Sequence, residues 1–283
     1  MPIYKPTELH QFLSELQTGP KKRLSQNFLI DGNIIRKIVE TAHLEPGDVV
    51  LEIGPGPGSL TEALLDKGAH VIAVEKDTVL AEALNRLKSP TRNLDVYCAD
   101  IMEFPIEEVL AKALSTGKKA RVIANLPYNL TTPIIAHLIE MRSVISSLHV
   151  MVQEEVARRF VAHPGNSDYG SFSVFLNFFS NPRYGFLVSR NCFFPAPKVQ
   201  SAIVILDLKE PAVVSDQTKF FVMTRTAFGH RRKMMRGSLR ELYAPEAVMQ
   251  ELTAIGKNPL ARPEELSLDE FIRLFERLQA SVA

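Results

Sequence analysis

The chain has 283 residues, 46% hydrophobic and 23% charged, which is the composition of an ordinary globular protein with room for one large and one smaller domain. Its net charge of +1 excludes a strong overall field, so any surface for nucleic acid must come from local clustering of basic residues. We expect a soluble, cytoplasmic protein, because the sequence has no ~18-residue apolar run, no signal-peptide layout, and only two cysteines, Cys98 and Cys192, in no disulfide or zinc spacing.

The predicted elements begin after about thirty residues of irregular sequence that contain the basic triplet 21–23. Asp31 has the position of an N-cap for a helix with an apolar face at Ile34, Ile35 and Ile38. From Asp48 onward, short apolar strands alternate with amphipathic helices, which predicts a parallel sheet with helices on both faces. The predicted strands are 49–53, 70–75, 94–99, 121–124, 148–153, 184–188 and 202–208, and the predicted helices include 78–87, with Asp77 as its cap, and 131–141.

The pattern changes near Glu210 and Pro211, after which only helical segments are predicted. The last of these is an amphipathic stretch at 268–278. We therefore predict an α/β domain at 1–208 and a small all-helical domain at 209–283.

A glycine-rich turn follows the first strand of the sheet. Gly54, Gly56 and Gly58 allow the backbone to turn tightly and to approach a ligand closely. The G-x-G-x-G spacing differs from the dinucleotide fingerprint, and Pro55 and Pro57 remove backbone donors, so a cradled pyrophosphate is disfavoured. Taken alone, this loop is equally well explained as an ordinary strand-to-helix turn.

Acidic residues stand at the ends of the next two strands. Glu75 ends the second strand, where a carboxylate can accept hydrogen bonds from both ribose hydroxyls. Asp100 follows the third strand, where it can accept from an adenine amino group. Either acid alone would be interpreted as a solvated loop carboxylate. Together with the glycine turn they predict a nucleoside cofactor without phosphates, for which S-adenosylmethionine is the best fit.

The next strand ends in the tetrapeptide Asn125, Leu126, Pro127 and Tyr128. The Asn125 side-chain oxygen and the Leu126 carbonyl can accept from the N6 hydrogens of an adenine, which frees the nitrogen lone pair for attack. Pro127 fixes the turn, and Tyr128 can stack on the base. A structural turn with Tyr128 packed as a lid is the alternative. Since an activated methyl group needs positioning more than a strong base, these residues are candidate catalytic groups.

With these motifs, nearly the whole chain resembles the small-subunit rRNA adenine N6,N6-dimethyltransferase family, known for kasugamycin resistance. Residues 22–29 are similar to the family's N-terminal cofactor motif, although Ser25 stands where the family usually has glycine. The resemblance implies that Asn27 and Leu29 close over the cofactor as part of an N-terminal segment, 1–30. It also implies a Rossmann-like, seven-stranded methyltransferase sheet and no metal.

A second family segment lies at 193–202, with Ala196 where proline is common. The resemblance implies that Phe193 sandwiches the target base against Tyr128, whereas Phe193 alone would be interpreted as a core aromatic. It also implies the substrate, two adjacent adenines in the 3′-terminal hairpin loop of small-subunit rRNA, and a role in small-subunit biogenesis.

A cluster of basic residues near the start of the helical region provides a candidate RNA contact. Seven basic side chains and no acidic one occur between Gln217 and Arg240, whereas a solvated helix face usually mixes signs. We predict phosphate contacts for this stretch and for the N-terminal basic residues. The candidate RNA-binding residues are Lys22, Arg23, Arg225, Arg231, Arg232, Lys233 and Arg236.

Three other functions stay open at this point. The first is a ribosome-assembly factor that acts mainly by binding immature small subunits. The second is methylation of large-subunit rRNA, which the helical tail and the segment 193–202 disfavour. The third is methylation of DNA adenine, which the lack of a separate base-reading domain disfavours. We expect a monomer whose partner is small-subunit rRNA or the immature small ribosomal subunit.

Overall fold

A seven-stranded sheet is the main feature of the computed structural model, which describes residues 3–230 and 233–282. A separate sheet pairs two short strands. The strands in chain order are β1 (Phe28–Leu29), β2 (Val49–Ile53), β3 (His70–Glu75), β4 (Leu94–Cys98), β5 (Ala120–Asn125), β6 (Ile145–Gln153), β7 (Ser180–Val188), β8 (Phe193–Phe194) and β9 (Ser201–Leu208). The order across the large sheet is β4-β3-β2-β5-β6-β9-β7. The first five strands in this order are parallel to one another, and β9 is antiparallel to β6.

Helices connect these strands and make up about half of the rest of the described chain. They are α1 (Pro6–Glu15), α2 (Gly32–Thr41), α3 (Ser59–Asp66), α4 (Thr78–Ala83), α5 (Ile106–Ala113), α6 (Thr131–Glu140), α7 (Glu154–Phe160), α8 (Ser171–Phe179), α9 (Gln217–Gly229), α10 (Met235–Ser238), α11 (Pro245–Ala254) and α12 (Leu268–Val282). In the part of the chain that the structure describes, none of the helices is both long enough and apolar enough to span a membrane.

The strand order reverses between β2 and β5. Going from β2 to β3 to β4 the chain moves one way across the sheet, and from β5 to β6 it moves the other way. Because parallel crossovers are right-handed, these two directions put their helices on opposite faces. A crevice therefore opens at the carboxyl ends of β2 and β5, the usual place for a ligand in such sheets.

The predicted fold class is confirmed, and the strands of the parallel sheet begin and end within three residues of their predicted limits. All five residues of β2 are buried, as expected for a strand covered on both faces. The predicted N-cap is present, since the Asp31 carboxylate accepts from the backbone N–H groups of Asn33 and Ile34. The predicted helix 78–87 is one α-helical segment, α4, followed by a 3-10 segment, Leu84–Leu87.

The first thirty residues are not irregular, contrary to the prediction. Pro6 occupies the first turn of α1, where its missing N–H costs nothing. The helix buries Leu9 and Leu13, which form a small apolar cluster with Ile3, Phe28 and Leu80. The N-terminal segment is thereby packed next to the cofactor motif that contains Phe28.

The chain divides into two compact units. The first runs to Ala157 and resumes at Arg183–Leu208, and the second combines Arg158–Pro182 with Lys209–Ala283. The chain passes from the first unit to the second at 208/209, and the second unit also contains 158–182, which the sequence analysis placed in the first domain. Helix α8 explains why 158–182 is part of the second unit, because its phenylalanines lie on more than one face of the helix and need apolar partners there. Within the second unit, Phe178 packs against Phe220 and Phe221, with ring centroids 5.5 and 5.0 Å apart.

Candidate active site

A cavity of about 280 Å³ lies at the carboxyl ends of β2, β3, β4 and β5. Its walls come from four stretches that are distant in sequence: the N-terminal motif, the glycine turn, the acidic strand ends and the Asn-Leu-Pro-Tyr turn. The cavity brings together nearly all the predicted cofactor and catalytic residues: Asn27, Leu29, Gly54, Gly56, Glu75, Asp100, Asn125, Leu126, Pro127 and Tyr128.

The glycine turn needs backbone angles that only glycine adopts at little cost. Gly54 and Gly56 have φ values of +64° and +57°. A Cβ at Gly56 would also lie 3.1 Å from the Phe28 ring. The Gly56 N–H donates to Glu75 Oε2 at 2.9 Å, so the turn is tied to the end of the neighbouring strand.

Glu75 is 4% exposed, and backbone groups hold both of its carboxylate oxygens. Besides the Gly56 bond, Oε1 accepts from the Asp77 N–H at 2.8 Å. Burial raises the pKa of Glu75, while these two backbone hydrogen bonds oppose the rise. Each oxygen keeps a further lone pair, so the carboxylate can still accept from ligand hydroxyls.

Asp100 lies just beyond β4 with its carboxylate in an ion pair. Its Oδ2 accepts from Lys76 Nζ at 2.6 Å, and its Oδ1 accepts from the Met102 N–H at 3.0 Å. The hydrogen bond from Lys76 lowers the pKa of Asp100, which keeps this acceptor ionised at neutral pH.

Glu52 is a cavity residue that the sequence analysis did not select. It is 1% exposed, and among the described residues its Oε2 has no hydrogen-bond partner. Burial raises its pKa to about 8, and the nearby Glu75 carboxylate adds to the rise. An acid in the middle of the apolar run of β2 was the available signal, because such a residue is rarely buried without a reason.

Asn125 ends β5 and offers an acceptor at the cavity. Its Nδ2 donates to the Asn27 carbonyl at 3.0 Å, which sets the orientation of the amide group. Its Oδ1 is buried, and no described residue donates to it. Since a buried carbonyl oxygen without a donor is unfavourable, this atom is suited to accept from a ligand N–H.

Tyr128 follows in a short 3-10 turn, Tyr128–Leu130. Its hydroxyl lies 2.7 Å from Ser201 Oγ, and Ser201 is fully buried at the start of β9. Burial raises the pKa of Tyr128, so the phenol is neutral at physiological pH, and the residue lines the cavity. Ser201 stands in the predicted segment 193–202 but was not predicted to contact the tyrosine.

Phe193 does not line the cavity, in contrast to its predicted place beside the base. It is 3% exposed and belongs to an apolar cluster with Leu29, Val188 and Ile203. Residues Phe28 and Leu29 pair with Phe194 and Phe193 in the two-stranded sheet, which explains this burial. In this conformation Phe193 packs against Leu29 of the N-terminal motif, and its contact with a base stays a prediction.

The N-terminal basic residues differ in their surroundings. Lys22 and Arg23 are exposed in a 3-10 turn, Lys22–Leu24, and Arg23 also lines the cavity. Lys21, which was considered with them, instead forms an ion pair with Asp77 at 2.7 Å.

The basic stretch 217–240 of the helical unit is divided between two helices. Helix α9 ends at Gly229, and α10 is a single turn that begins at Met235. Arg225 and Lys233 are exposed, whereas Arg236 is half-buried with Nη1 3.4 Å from Met249 Sδ. Arg231 and Arg232 lie outside the described residues.

Comparisons with known proteins bear on what this arrangement does. The family model described as ribosomal RNA adenine dimethylase matches residues 18–280. The ribosomal RNA small subunit methyltransferase A of Protochlamydia amoebophila is 60% identical over 281 residues, which cover 99% of each chain. The protein of the same name from Chlamydia caviae is 46% identical over 279 residues, which cover 98% of each chain.

Two solved structures are also similar. The crystal structure of the 23S rRNA methyltransferase ErmE has a TM-score of 0.69 and 29% identity over 89% of this chain and 100% of that one. A dimethyladenosine transferase from Plasmodium falciparum has a TM-score of 0.72 and 25% identity over 90% of this chain and 98% of that one. Since the family model and both relatives span almost the whole sequence, the chain belongs to the ribosomal RNA adenine dimethylase family.

Proposed function

We propose that this protein uses S-adenosylmethionine to dimethylate N6 of two adjacent adenines in the 3′-terminal hairpin loop of small-subunit rRNA. Membership in a family of ribosomal RNA adenine dimethylases supports the reaction. The names of the relatives at 60% and 46% identity support the small subunit as the source of the substrate.

The unpartnered Oδ1 of Asn125 is the observation that carries the proposal. The amide is held by its bond to the Asn27 carbonyl, so the acceptor is preorganised before a substrate arrives. The turn itself is anchored, because the Leu126 N–H donates to the Met151 carbonyl at 3.2 Å. Such an acceptor at a cavity fits an exocyclic amine.

The residues around the cavity also fit the methyl donor. When bound, S-adenosylmethionine supplies an activated methyl group on a positively charged sulfur. The cavity volume of about 280 Å³ is close to the lower end of the ~300–1,000 Å³ range of small-molecule sites. The ionised carboxylate of Asp100 favours a cation, and Gly54 and Gly56 allow a close approach.

The catalytic work of the chain is to hold the target amine. Asn125 Oδ1 and the Leu126 carbonyl accept from the two N6 hydrogens, which favours a pyramidal nitrogen with a free lone pair. Tyr128 stacks on the base, with its hydroxyl fixed by Ser201. N6 loses one proton to water with each methylation, so a single N6 hydrogen remains after the first, and one acceptor is enough to hold it for the second.

The RNA supplies a base that must leave its stack. Extrusion costs a few kcal/mol in a duplex and less in a loop. Stacking on an aromatic ring recovers roughly 1–3 kcal/mol per base, which makes a hairpin loop a favourable substrate.

We further propose that the enzyme acts as a monomer on the immature small subunit, in the cytoplasm where that particle is assembled.

Replacing Asn125 by alanine tests the proposal. We expect Asn125→Ala to lose both methylation steps, by ~10²-fold or more, while it keeps its fold and most of its RNA binding. The measurement is mass spectrometry of rRNA after incubation with small subunits that lack the modification. Asn85→Ala, on the exposed side of the 3-10 segment after α4, is the matched control and should stay active. Dimethyladenosine formed at the wild-type rate by folded Asn125→Ala would refute the mechanism.

Two experiments test a large-subunit rRNA target and a role mainly in assembly. The likeness to ErmE makes a 23S rRNA target the second candidate, so purified large-subunit rRNA is assayed in parallel. Product in that RNA alone would move the assignment to the large subunit. If the Asn125→Ala protein still restores small-subunit assembly in cells without the enzyme, binding is the main function and methylation is secondary.

A further inference from the structure

Asp77 is a buried carboxylate that connects the cofactor cavity to the N-terminal segment. Its side chain is fully buried, and its position directly after β3 places it two residues beyond Glu75. Its Oδ1 caps α4 by accepting from the Val79 N–H at 3.2 Å, and its own N–H donates to Glu75 Oε1 at 2.8 Å. One residue therefore links α4 to the carboxylate that also holds the glycine turn.

Two residues of the N-terminal segment reach the other oxygen of Asp77. Lys21 Nζ lies 2.7 Å from Oδ2, and Gln26 Nε2 donates to the same atom at 3.3 Å. Gln26 Oε1 in turn accepts from the Lys21 N–H at 2.8 Å, which closes residues 21–26 into a loop. We refer to Lys21, Gln26 and Asp77 as the latch.

The latch is formed by an ionised carboxylate. Burial by itself would raise the pKa of Asp77, but the hydrogen bonds from Lys21 and Gln26 outweigh it, and the pKa lies below its usual value. A buried carboxylate without a cation is strongly unfavourable. Water therefore cannot stabilise the buried Asp77 carboxylate as well as the Lys21 ammonium does. The Lys21 side chain remains 30% exposed and can therefore be exchanged for other residues without loss of core packing.

The residue that follows the latch contacts the candidate catalytic amide. Asn27 comes directly after Gln26, and its carbonyl is the acceptor that orients Asn125. The Asn27 side chain donates back to the Ser25 carbonyl at 3.1 Å, so residues 25–27 form a tight turn at the cavity wall. The loop 21–26 therefore leads directly into the carbonyl that orients Asn125.

We propose that Lys21 and Asp77 are positioning residues for methyl transfer, because their ion pair holds the N-terminal segment where Asn27 can orient the Asn125 amide and complete the cofactor cavity. The catalytic part of this inference rests on the function proposed above. The mechanical part, that the pair holds residues 21–27 in place, does not depend on it.

The test compares Lys21→Met with wild type in three measurements. Trypsin cleavage after Lys22 and Arg23, followed by mass spectrometry on the ligand-free protein, reports release of the segment. Calorimetry with S-adenosylhomocysteine reports the cavity, and kcat at saturating methyl donor and RNA reports the orientation of Asn125. We expect cleavage to be about tenfold faster, the Kd for S-adenosylhomocysteine about tenfold higher, and kcat reduced. Each tenfold change corresponds to roughly 1.4 kcal/mol.

Matched variants separate positioning from a general loss of stability. Lys21→Arg keeps a cation for Asp77 and should return all three values toward wild type. Lys112→Met removes a lysine from an exposed pair with Glu108 and should change none of them. Asp77→Asn keeps an oxygen for the α4 cap, and in combination with Lys21→Met it should add little to either single change, because both remove the same ion pair.

Each outcome bears on one part of the proposal. Wild-type cleavage and affinity in Lys21→Met would overturn it. Faster cleavage with unchanged affinity and kcat would reduce the latch to a structural role and also overturn it. If the wild-type protein fails to bind S-adenosylhomocysteine, the proposed function fails, while the cleavage rates still decide whether the latch exists.

Discussion

The hydroxyl of Tyr128 depends on one buried partner, Ser201, 73 residues further along the chain. Ser201→Ala would leave that hydroxyl unpaired in a mostly buried site, at a cost of ~1–3 kcal/mol in the free energy of unfolding. We also expect a lower kcat, because the ring that stacks on the base loses its anchor. Urea denaturation and methylation assays measure the two effects.

Tyr128→Phe provides the comparison for that change. The ring remains, so we expect stacking and most of the activity to persist, although the buried Ser201 hydroxyl then loses its partner. In the double variant, Ser201→Ala should then cost much less than it does beside the native tyrosine. Equal costs in the two backgrounds would show that Ser201 acts through something other than Tyr128.

Glu52 makes the stability of the protein depend on pH. Burial raises its pKa from the ordinary 4.5 to about 8, so between these values the native state holds a proton that the unfolded state has lost. The contribution of Glu52 to the free energy of unfolding is therefore fully present below about pH 4.5. It declines as the pH rises to about 8 and changes no further above that. Glu52→Gln should remove this decline and be the more stable form at pH 8 by a few kcal/mol, on the order of the linkage energy.

Denaturation curves of wild type and Glu52→Gln from pH 5 to 9 measure the effect as a difference. The difference is needed because His149, whose pKa is lowered to about 4 by burial, adds an opposite slope at acid pH. Its neutral native form loses stability as the pH falls from about 6.5 through 4. Parallel curves for the two proteins above pH 6.5 would contradict the role given to Glu52.

Single residues of the site were predictable where they end a strand. Glu75, Asp100 and Asn125 occupy such positions, and strand ends follow from short apolar runs in the sequence. The partners Ser201 and Lys21 were not predictable, because their contacts with Tyr128 and Asp77 join residues far apart in the chain. The predicted roles of the cavity residues themselves remain predictions.

At the level of elements, the parallel strands were well predicted because buried strands are continuous apolar runs. Helix α1 was missed although Leu9, Phe12, Leu13 and Leu16 have helical spacing. The pairing of β1 with β8 could not be predicted, because strands of two residues carry no periodic pattern. That pairing buries Phe193, which explains why a motif residue lies outside the cavity.

At the level of the whole molecule, the division into units differs from a simple cut at residue 209. Helix α8 precedes β7 in the chain but packs its phenylalanines within the helical unit. Chain order alone placed it with the sheet, whereas its apolar surface on several sides indicated a partner rich in aromatic residues. The candidate cofactor residues all lie in the first unit, and the exposed basic residues Arg225 and Lys233 lie in the second.

This separation predicts that RNA affinity and methyl-donor affinity can be changed independently. The double variant Arg225→Gln/Lys233→Gln removes two exposed cations of the second unit. If both contact phosphates, the slope of log K for RNA against log salt should fall in magnitude by about 1.4 to 1.8, since each contact contributes roughly 0.7 to 0.9. The Kd for S-adenosylhomocysteine should stay at the wild-type value.

The matched control removes two lysines that already have acidic partners, Lys112 beside Glu108 and Lys257 beside Glu270. Lys112→Gln/Lys257→Gln lowers the net charge by the same amount, so it corrects for the long-range effect of charge on RNA binding. Filter binding to the 3′-terminal hairpin between 50 and 300 mM salt gives both slopes. Equal slopes for the two double variants would show that Arg225 and Lys233 are solvated surface residues and that the RNA is held elsewhere.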